Sequence, residues 1–293
     1  MNRQQIILVT AAISAVFLLY FFGRFSAEKK PGSSKPAVST TNQQQPGLSF
    51  DTMLSLAKKR LTPSQLKKVI EWENSVVRGD VKNQQINVYK QLSNFWKDSV
   101  GAFVPYVKYI GEAAKLEKSE KNLTFAAHLL LGELQTVEEQ PLKVWMAKEA
   151  KELFETALEL NPQNDSSKIG LGSTYFFGAA GNDPPMKGIG LIREVVTKNP
   201  DNAFAHYMLG VGSFVSAQWP KAIERFEKVL QLEPQNIDAM LRLADAYEQS
   251  GDKASSKKWY QQFLKTIKVL ETQKKFRSNP EMIKQIEEHI KLL

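Results

Sequence analysis

The sequence predicts an all-α protein, a solenoid of stacked antiparallel helix pairs. A pattern of small, large apolar and proline residues recurs after 34 residues near the C-terminus, which is the spacing of a helix-turn-helix repeat. No stretch alternates apolar and polar residues for long enough to require a sheet. Cysteine is absent from the 293 residues, which excludes disulfides and thiolate metal sites.

The repeat is clearest between residues 203 and 270. Each unit carries small residues where its two helices would cross, a large residue that fills the space beside them, and a proline that ends the second helix because it cannot donate a helical hydrogen bond. In the unit 203–236 these positions hold Gly210, Ala222, Phe226 and Pro234. The unit 237–270 has Ser256 and Lys268 where alanine and proline are expected, so its second helix should run past the usual stop.

Two earlier units extend the array to about residues 122–270. The unit 165–202 carries Leu171-Gly172 and Pro200, with four extra residues in the turn Gly178–Pro185. This inserted turn is a second candidate site of contact with a partner. The unit 122–164 ends with Phe154 and Pro162. Its Leu131-Gly132 places the first helix at 122–137, with about six extra residues at 138–143.

These units resemble the tetratricopeptide repeat (TPR), a family of solenoids that bind other proteins. The resemblance implies a concave groove lined by the second, fifth, ninth, twelfth and thirteenth residues of each first helix. The groove residues that it implies here are Phe176, Phe177, Phe204, Tyr207, Val211 and Phe214. Asp238, Asp245 and Glu248 would make one end acidic.

The occupant of this groove is left open by the sequence. An apolar or amphipathic partner segment is one candidate, and the protein's own N-terminal helices or a second copy are the others. The carboxylate clamp of TPR cochaperones is not matched, because Tyr207 and Val211 stand where that clamp needs lysine and asparagine. The oligomeric state is also open, a homo-oligomer included.

Helical segments flank the repeats. Residues 48–121 predict helices at 62–77, 82–97 and 103–118, the first opened by the capping box Thr62-Pro63-Ser64-Gln65, and form either degenerate repeats or a helical extension. Residues 271–293 predict a capping helix that starts near Asn279-Pro280 and solvates the open end of the solenoid.

The N-terminus predicts a membrane anchor at residues 1–26. Ile6 to Phe22 is an uncharged run of 17 residues, which as a helix spans roughly 25 Å. A cleaved signal is the alternative, although Phe25 stands where a cleavage site needs a small residue. Residues 27–47 predict a flexible linker. A single-pass protein of a bacterial inner membrane with a periplasmic body is favoured, and a cytoplasmic body stays open.

Charge separates the two parts of the chain. Residues 1–121 contain 18 Lys and Arg against 9 Asp and Glu, whereas the remainder contains 21 against 22. The basic part either contacts anionic lipid or is ordinary solvated surface. Nucleic-acid binding is disfavoured because no recognition motif accompanies the lysines.

No catalytic, metal or cofactor motif is present in the sequence. His128, His206 and His289 are far apart and none belongs to a metal-ligand pair, and His206 is expected to be a packed structural residue. The sequence therefore predicts a non-catalytic, membrane-tethered scaffold for a protein or peptide partner. The alternatives are a cytosol-facing import or assembly receptor and an accessory subunit of a membrane enzyme complex.

Overall fold

The computed structural model describes residues 48–78, 82–177 and 185–293. Within these ranges the chain is helical and contains no strand. The N-terminal helices are α1 (Phe50–Lys58), α2 (Pro63–Arg78), α3 (Lys82–Asn94) and α4 (Phe103–Glu117), with a π-helical segment Phe95–Val100 between α3 and α4. The repeat helices are α5 (Glu120–Glu133), α6 (Gln140–Leu160), α7 (Asp165–Phe177), α8 (Pro185–Lys198), α9 (Ala203–Val215), α10 (Trp219–Leu232), α11 (Ile237–Gln249) and α12 (Lys253–Thr272), and α13 (Pro280–Leu292) follows them.

Several sequence predictions lie outside the described residues. They are the anchor Ile6 to Phe22, the linker 27–47 and most of the inserted turn that begins at Gly178. Among the helices that the structure describes, none combines the length and the apolar character needed to span a bilayer.

The repeat helices form the expected pairs. The helix α5 packs on α6, α7 on α8, α9 on α10 and α11 on α12, and each pair also packs on the next. Buried apolar residues continue from one pair to the next, so no pair has to bury its apolar face alone. The predicted all-α solenoid of helix pairs is confirmed for this part of the chain.

A side-chain cap opens the first helix of every pair. Ser119, Asn164, Asn202 and Asn236 each accept a hydrogen bond from the backbone N–H three residues later. These bonds satisfy one of the N–H groups that a helix leaves unpaired at its start. Because each cap immediately precedes its helix, the four caps fix the register of the repeats.

The caps show that the predicted register of the earliest unit is wrong. Ser119 and Asn164 are 45 positions apart, whereas Asn202 and Asn236 are 34 apart, so the unit has eleven extra residues and not six. Its first helix begins at Glu120 and ends at Glu133, before the predicted end. Gly132 is exposed, and a Cβ at that position would meet no atom within 4 Å. The fully buried Ala127 takes the crossing position instead.

Part of the insertion lengthens the second helix of this unit. The helix α6 has 21 residues, whereas α8 and α10 have 14 each. The Leu-Gly pair at 131–132 suggested the wrong register because alanine is also small enough for a helix crossing.

The N-terminal helices share a core of their own. It is built from Leu54, Val69, Val88, Leu92, Trp96 and Tyr109. The helix α4 connects this core to the repeats by packing on α5 and α6, and the ring of Phe50 stacks on Trp145 of α6 with centroids 6.3 Å apart. The predicted helices at 82–97 and 103–118 agree with α3 and α4 to within a few residues, but the π-helical turn around the fully buried Trp96 was not predicted.

The C-terminal helices follow the sequence closely. The helix α12 continues to Thr272, so the expected extension beyond Lys268 is confirmed. Asn279 caps α13 and Pro280 is its first residue. Ile283 and Ile286 are half-buried against the cluster that contains Phe263, while the opposite face of α13 is exposed.

We expect Gly188→Ala to lower the free energy of unfolding by about 2 to 3 kcal/mol, which is at the upper end of the usual cost of overpacking a core. A Cβ at Gly188 would overlap the carbonyl oxygen of Gly172, a backbone atom that cannot move aside. Gly190→Ala in the same helix is the matched control, because a Cβ at Gly190 meets nothing within 4 Å. It should raise stability by up to about 1 kcal/mol through helix propensity. Urea denaturation followed by circular dichroism measures both, and equal effects would contradict the close crossing.

We expect Ser256→Ala to raise the free energy of unfolding by about 1 kcal/mol. The Ser256 hydroxyl is fully buried and has no hydrogen-bond partner among the described residues. Ser167→Ala is the matched control, because Ser167 is equally buried but its hydroxyl lies 2.7 Å from that of Thr124. That control should be destabilising by a similar amount. A loss of stability in both variants, measured in the same urea titrations, would contradict the account of Ser256.

Candidate partner-binding groove

The first helices α5, α7, α9 and α11 lie side by side along the stack and form its groove face. Four of the six predicted groove residues converge there on one open pocket of about 240 Å³. They are Phe176, Phe177, Val211 and Phe214. Phe176 and Phe177 come from α7 and Val211 and Phe214 from α9, so two neighbouring repeats supply these apolar residues of the pocket.

The pocket has a buried floor and exposed walls. Val211 is only 3% exposed and forms the floor. The rings of Phe176 and Phe177 lie 5.0 Å apart and are half-buried, and the ring of Phe214 contacts Trp219 edge-on at 5.1 Å. Val215, at the rim, is 57% exposed. The side chains are thus held in place by the core but present apolar surface to the groove.

The other two predicted residues, Phe204 and Tyr207, do not line this pocket. Tyr207 packs on Phe226 with ring centroids 5.8 Å apart and belongs mainly to the core between repeats. Phe204 is 40% exposed, and its ring lies 5.8 Å from that of His128. The six residues therefore divide into a pocket, a core contact and a separate exposed ring.

The sequence missed His128 as a groove residue. With the corrected register, His128 is the ninth residue of its first helix, a groove position. Its Nε2 lies 2.8 Å from Ser166 Oγ, and its ring contacts Phe154 edge-on at 5.0 Å. Burial lowers the pKa of His128, against the opposing effect of the Ser166 bond, so the ring is neutral at pH 7. His128 and Phe204 thus form an uncharged aromatic patch on the first helices α5 and α9.

Two cationic side chains, Lys143 and Arg242, also line the pocket. Neither could be found from the family register, since Lys143 lies in a second helix and Arg242 is the sixth residue of α11. Arg242 Nη1 lies 3.8 Å from Asp245 Oδ2. Burial raises the pKa of Tyr207, while the charge of Arg242 and its hydrogen bond to this phenol act in the opposite direction.

At the predicted acidic end, side chains of the C-terminal helices α12 and α13 bind two of the carboxylates. Tyr260 of α12 donates to Asp245 Oδ1 at 2.6 Å, and His289 Nε2 of α13 lies 2.8 Å from Glu248 Oε2. Burial raises the pKa of Asp245, although the Tyr260 bond opposes this. Asp238 remains exposed, so the acidic character of this end is weaker than the sequence indicates.

His206 has the structural role that the sequence predicts. It is 4% exposed, and its Nε2 lies 2.8 Å from the carbonyl oxygen of Pro200 while its Nδ1 lies 3.2 Å from Arg225 Nη1. A carbonyl only accepts and a guanidinium only donates, so these two partners suit the Nε2–H tautomer of the ring.

A second pocket, of about 220 Å³, lies between α8 and α10. Its lining includes Arg193, Lys221 and Arg225, with Glu224 among them. Nothing in the sequence pattern singled it out. Across the described ranges, no group of three or more His, Asp or Glu side chains is arranged to hold a metal ion.

Comparisons with known proteins find one family match, which covers part of the repeats. Residues 216–266 match the tetratricopeptide repeat model, whereas a search of curated protein sequences finds no match. The TPR protein TTC0263 of Thermus thermophilus superimposes with a TM-score of 0.50, at 15% identity, over 73% of this chain and 100% of that one.

Two other solved structures are less similar. MamA from Desulfovibrio magneticus gives a TM-score of 0.43 at 20% identity, over 65% of this chain and 97% of that one. PilW, a type IV pilus biogenesis factor, gives a TM-score of 0.47 at 16% identity, over 71% of this chain and 93% of that one. The likeness to TTC0263 shows the fold, and the family match is confined to residues 216–266. In that segment the chain is similar to the tetratricopeptide repeat.

Proposed function

We propose that this protein is a non-catalytic scaffold that binds a segment of a partner protein in its groove. The observation that carries this proposal is the pocket to which two adjacent repeats contribute Phe176, Phe177, Val211 and Phe214. Apolar side chains that stay accessible in a concave surface are typical of binding sites. The helix-in-groove and extended-peptide modes both fit such a surface.

The size of the pocket limits the binding free energy that it can contribute by itself. A partner aromatic residue that buried about 150 Å² of apolar surface would contribute roughly 4 kcal/mol. That corresponds to a dissociation constant of about 1 mM, before the entropic cost of association. A partner therefore needs further contacts, and Phe204 of the patch lies on α9, the same helix as Val211 and Phe214.

The protein's own helices are weaker candidates for the occupant. The helices α1 and α3 pack on α4, α2 packs on α3, and α4 packs on α5 and α6. With these helices in place, Phe204 and Val215 keep 40% and 57% of their surface exposed. A second copy of the chain would be an alternative occupant.

We further propose that the scaffold is tethered to a bacterial inner membrane, with the body on the periplasmic side. The uncharged run Ile6 to Phe22 and the polar linker after it support the tether. The alternatives are a cytosol-facing receptor and an accessory subunit of a membrane enzyme complex. Stoichiometric co-purification with an active enzyme would favour the accessory subunit.

We expect Val215→Asp to weaken peptide binding at least tenfold, because it places a charge at the apolar rim. The probe is a peptide selected from a random display library on the full chain, with its dissociation constant measured by fluorescence anisotropy. Val269→Asp is the matched control, since Val269 is also exposed, at 41%, but lies on the second helix α12. Equal affinities for both variants, or selected peptides that bind only elsewhere, would refute the groove as the binding site.

We expect the body to be protected from protease in intact cells and digested once the outer membrane is opened to form spheroplasts. An antibody against the repeats follows the digestion. Protection until the inner membrane is lysed would place the body in the cytoplasm and favour the receptor alternative. Release of the body from membranes by alkaline carbonate would contradict the tether itself.

A further inference from the structure

We propose that the groove selects acidic segments: the partner places a large apolar side chain in the pocket and neighbouring carboxylates against Lys143 and Arg242. This inference rests on the proposed function, because it names the partner chemistry of the same pocket. It goes further by assigning Lys143 and Arg242, which the repeat register does not include, as specificity residues.

The two cations flank the apolar surface along the stack. Lys143 comes from α6 of the first repeat pair, and Arg242 comes from α11 of the fourth. The aromatic walls come from α7 and α9, the second and third pairs, and therefore lie between them. A bound segment that crosses the pocket meets a positive charge on each side of its apolar anchor.

Lys143 is available for a partner carboxylate. It forms no ion pair within the described part of the chain, although it is only half-exposed. Two lysines of α4 behave differently: Lys108 pairs with Glu112 and Glu149, and Lys115 pairs with Glu112 and Glu152. An ammonium that is held beside an apolar pocket without a carboxylate is a natural recognition element for one.

Arg242 also keeps donors for a ligand. Its only ion pair within the described residues is with Asp245, 3.8 Å away, which already accepts a hydrogen bond from Tyr260 at 2.6 Å. A guanidinium has five N–H donors, so contacts with Asp245 and Tyr207 leave several unused. Its side chain is 37% exposed.

A peptide fits these features better than a nucleic acid. Paired phenylalanines and two cations could also accept a stacked base and phosphates. However, the cations are only two, the pocket holds about 240 Å³, and the exposed Asp238 lies on the same helix as Arg242. An extended phosphate backbone would be repelled at that end, whereas a short acidic peptide segment needs to reach no further than Arg242.

The test uses three synthetic nine-residue peptides on the full-length protein. All share a central Phe-Leu pair, which is flanked by glutamates, serines or lysines. We expect the glutamate peptide to bind about tenfold more tightly than the serine peptide and the lysine peptide to bind least, with the preference falling as salt increases. Fluorescence anisotropy measures each affinity.

Charge reversal identifies the residues responsible. Lys143→Glu and Arg242→Glu should each weaken the glutamate peptide about tenfold and strengthen the lysine peptide. Lys148→Glu is the matched control, an exposed lysine of the same helix α6 that does not line the pocket. Arg242→Gln is the second variant if Arg242→Glu fails to fold, and it should remove the preference without reversing it.

The outcomes separate this inference from the proposed function. If all three peptides bind equally and Val215→Asp still abolishes their binding, the acidic preference is wrong while the groove stands. If no peptide shows binding that depends on Val215, both proposals fail. Displacement of the glutamate peptide by a single-stranded oligonucleotide at physiological salt would favour nucleic acid and overturn the acidic-peptide assignment.

Discussion

The close crossing of the two helices within each pair is the constraint on which the rest of the structure depends. At Gly172 and Gly188 two backbones meet without side chains between them, and a Cβ on Gly172 would lie 2.6 Å from the carbonyl oxygen of Gly188. Such contact lets Ile192 fill the remaining space and be fully buried. Because each pair is thin and apolar on both sides, it is stable only when it is stacked between neighbours.

That stacking also produces the candidate binding site. The first helices are brought side by side, so residues that are far apart in sequence, such as Phe176 and Phe214, share one pocket. The insertion in the first unit adds to this arrangement: the lengthened α6 carries Lys143 to the pocket edge. A repeat array thus acquires an individual site where one unit departs from the common pattern.

The C-terminal helix has two effects on the array. It covers the last apolar surface with Ile283 and Ile286, as a solenoid cap must. It also brings His289 to Glu248, while Tyr260 of α12 engages Asp245. Two carboxylates at this end, those of Asp245 and Glu248, are therefore used within the fold, whereas Asp238 stays exposed.

The sequence by itself determined the all-α repeat architecture, since periodic small, apolar and proline residues act through local helix geometry. It predicted Phe176, Phe177, Val211 and Phe214 as groove residues because a register transfers along a regular repeat, and these four share one pocket. Only the tertiary structure decided the length of the first insertion, the groove position of His128 and the approach of Lys143 and Arg242. Those features depend on irregular segments and on contacts between helix pairs. There, residues that are distant in sequence meet through packing, and the periodic sequence pattern does not indicate which residues become neighbours.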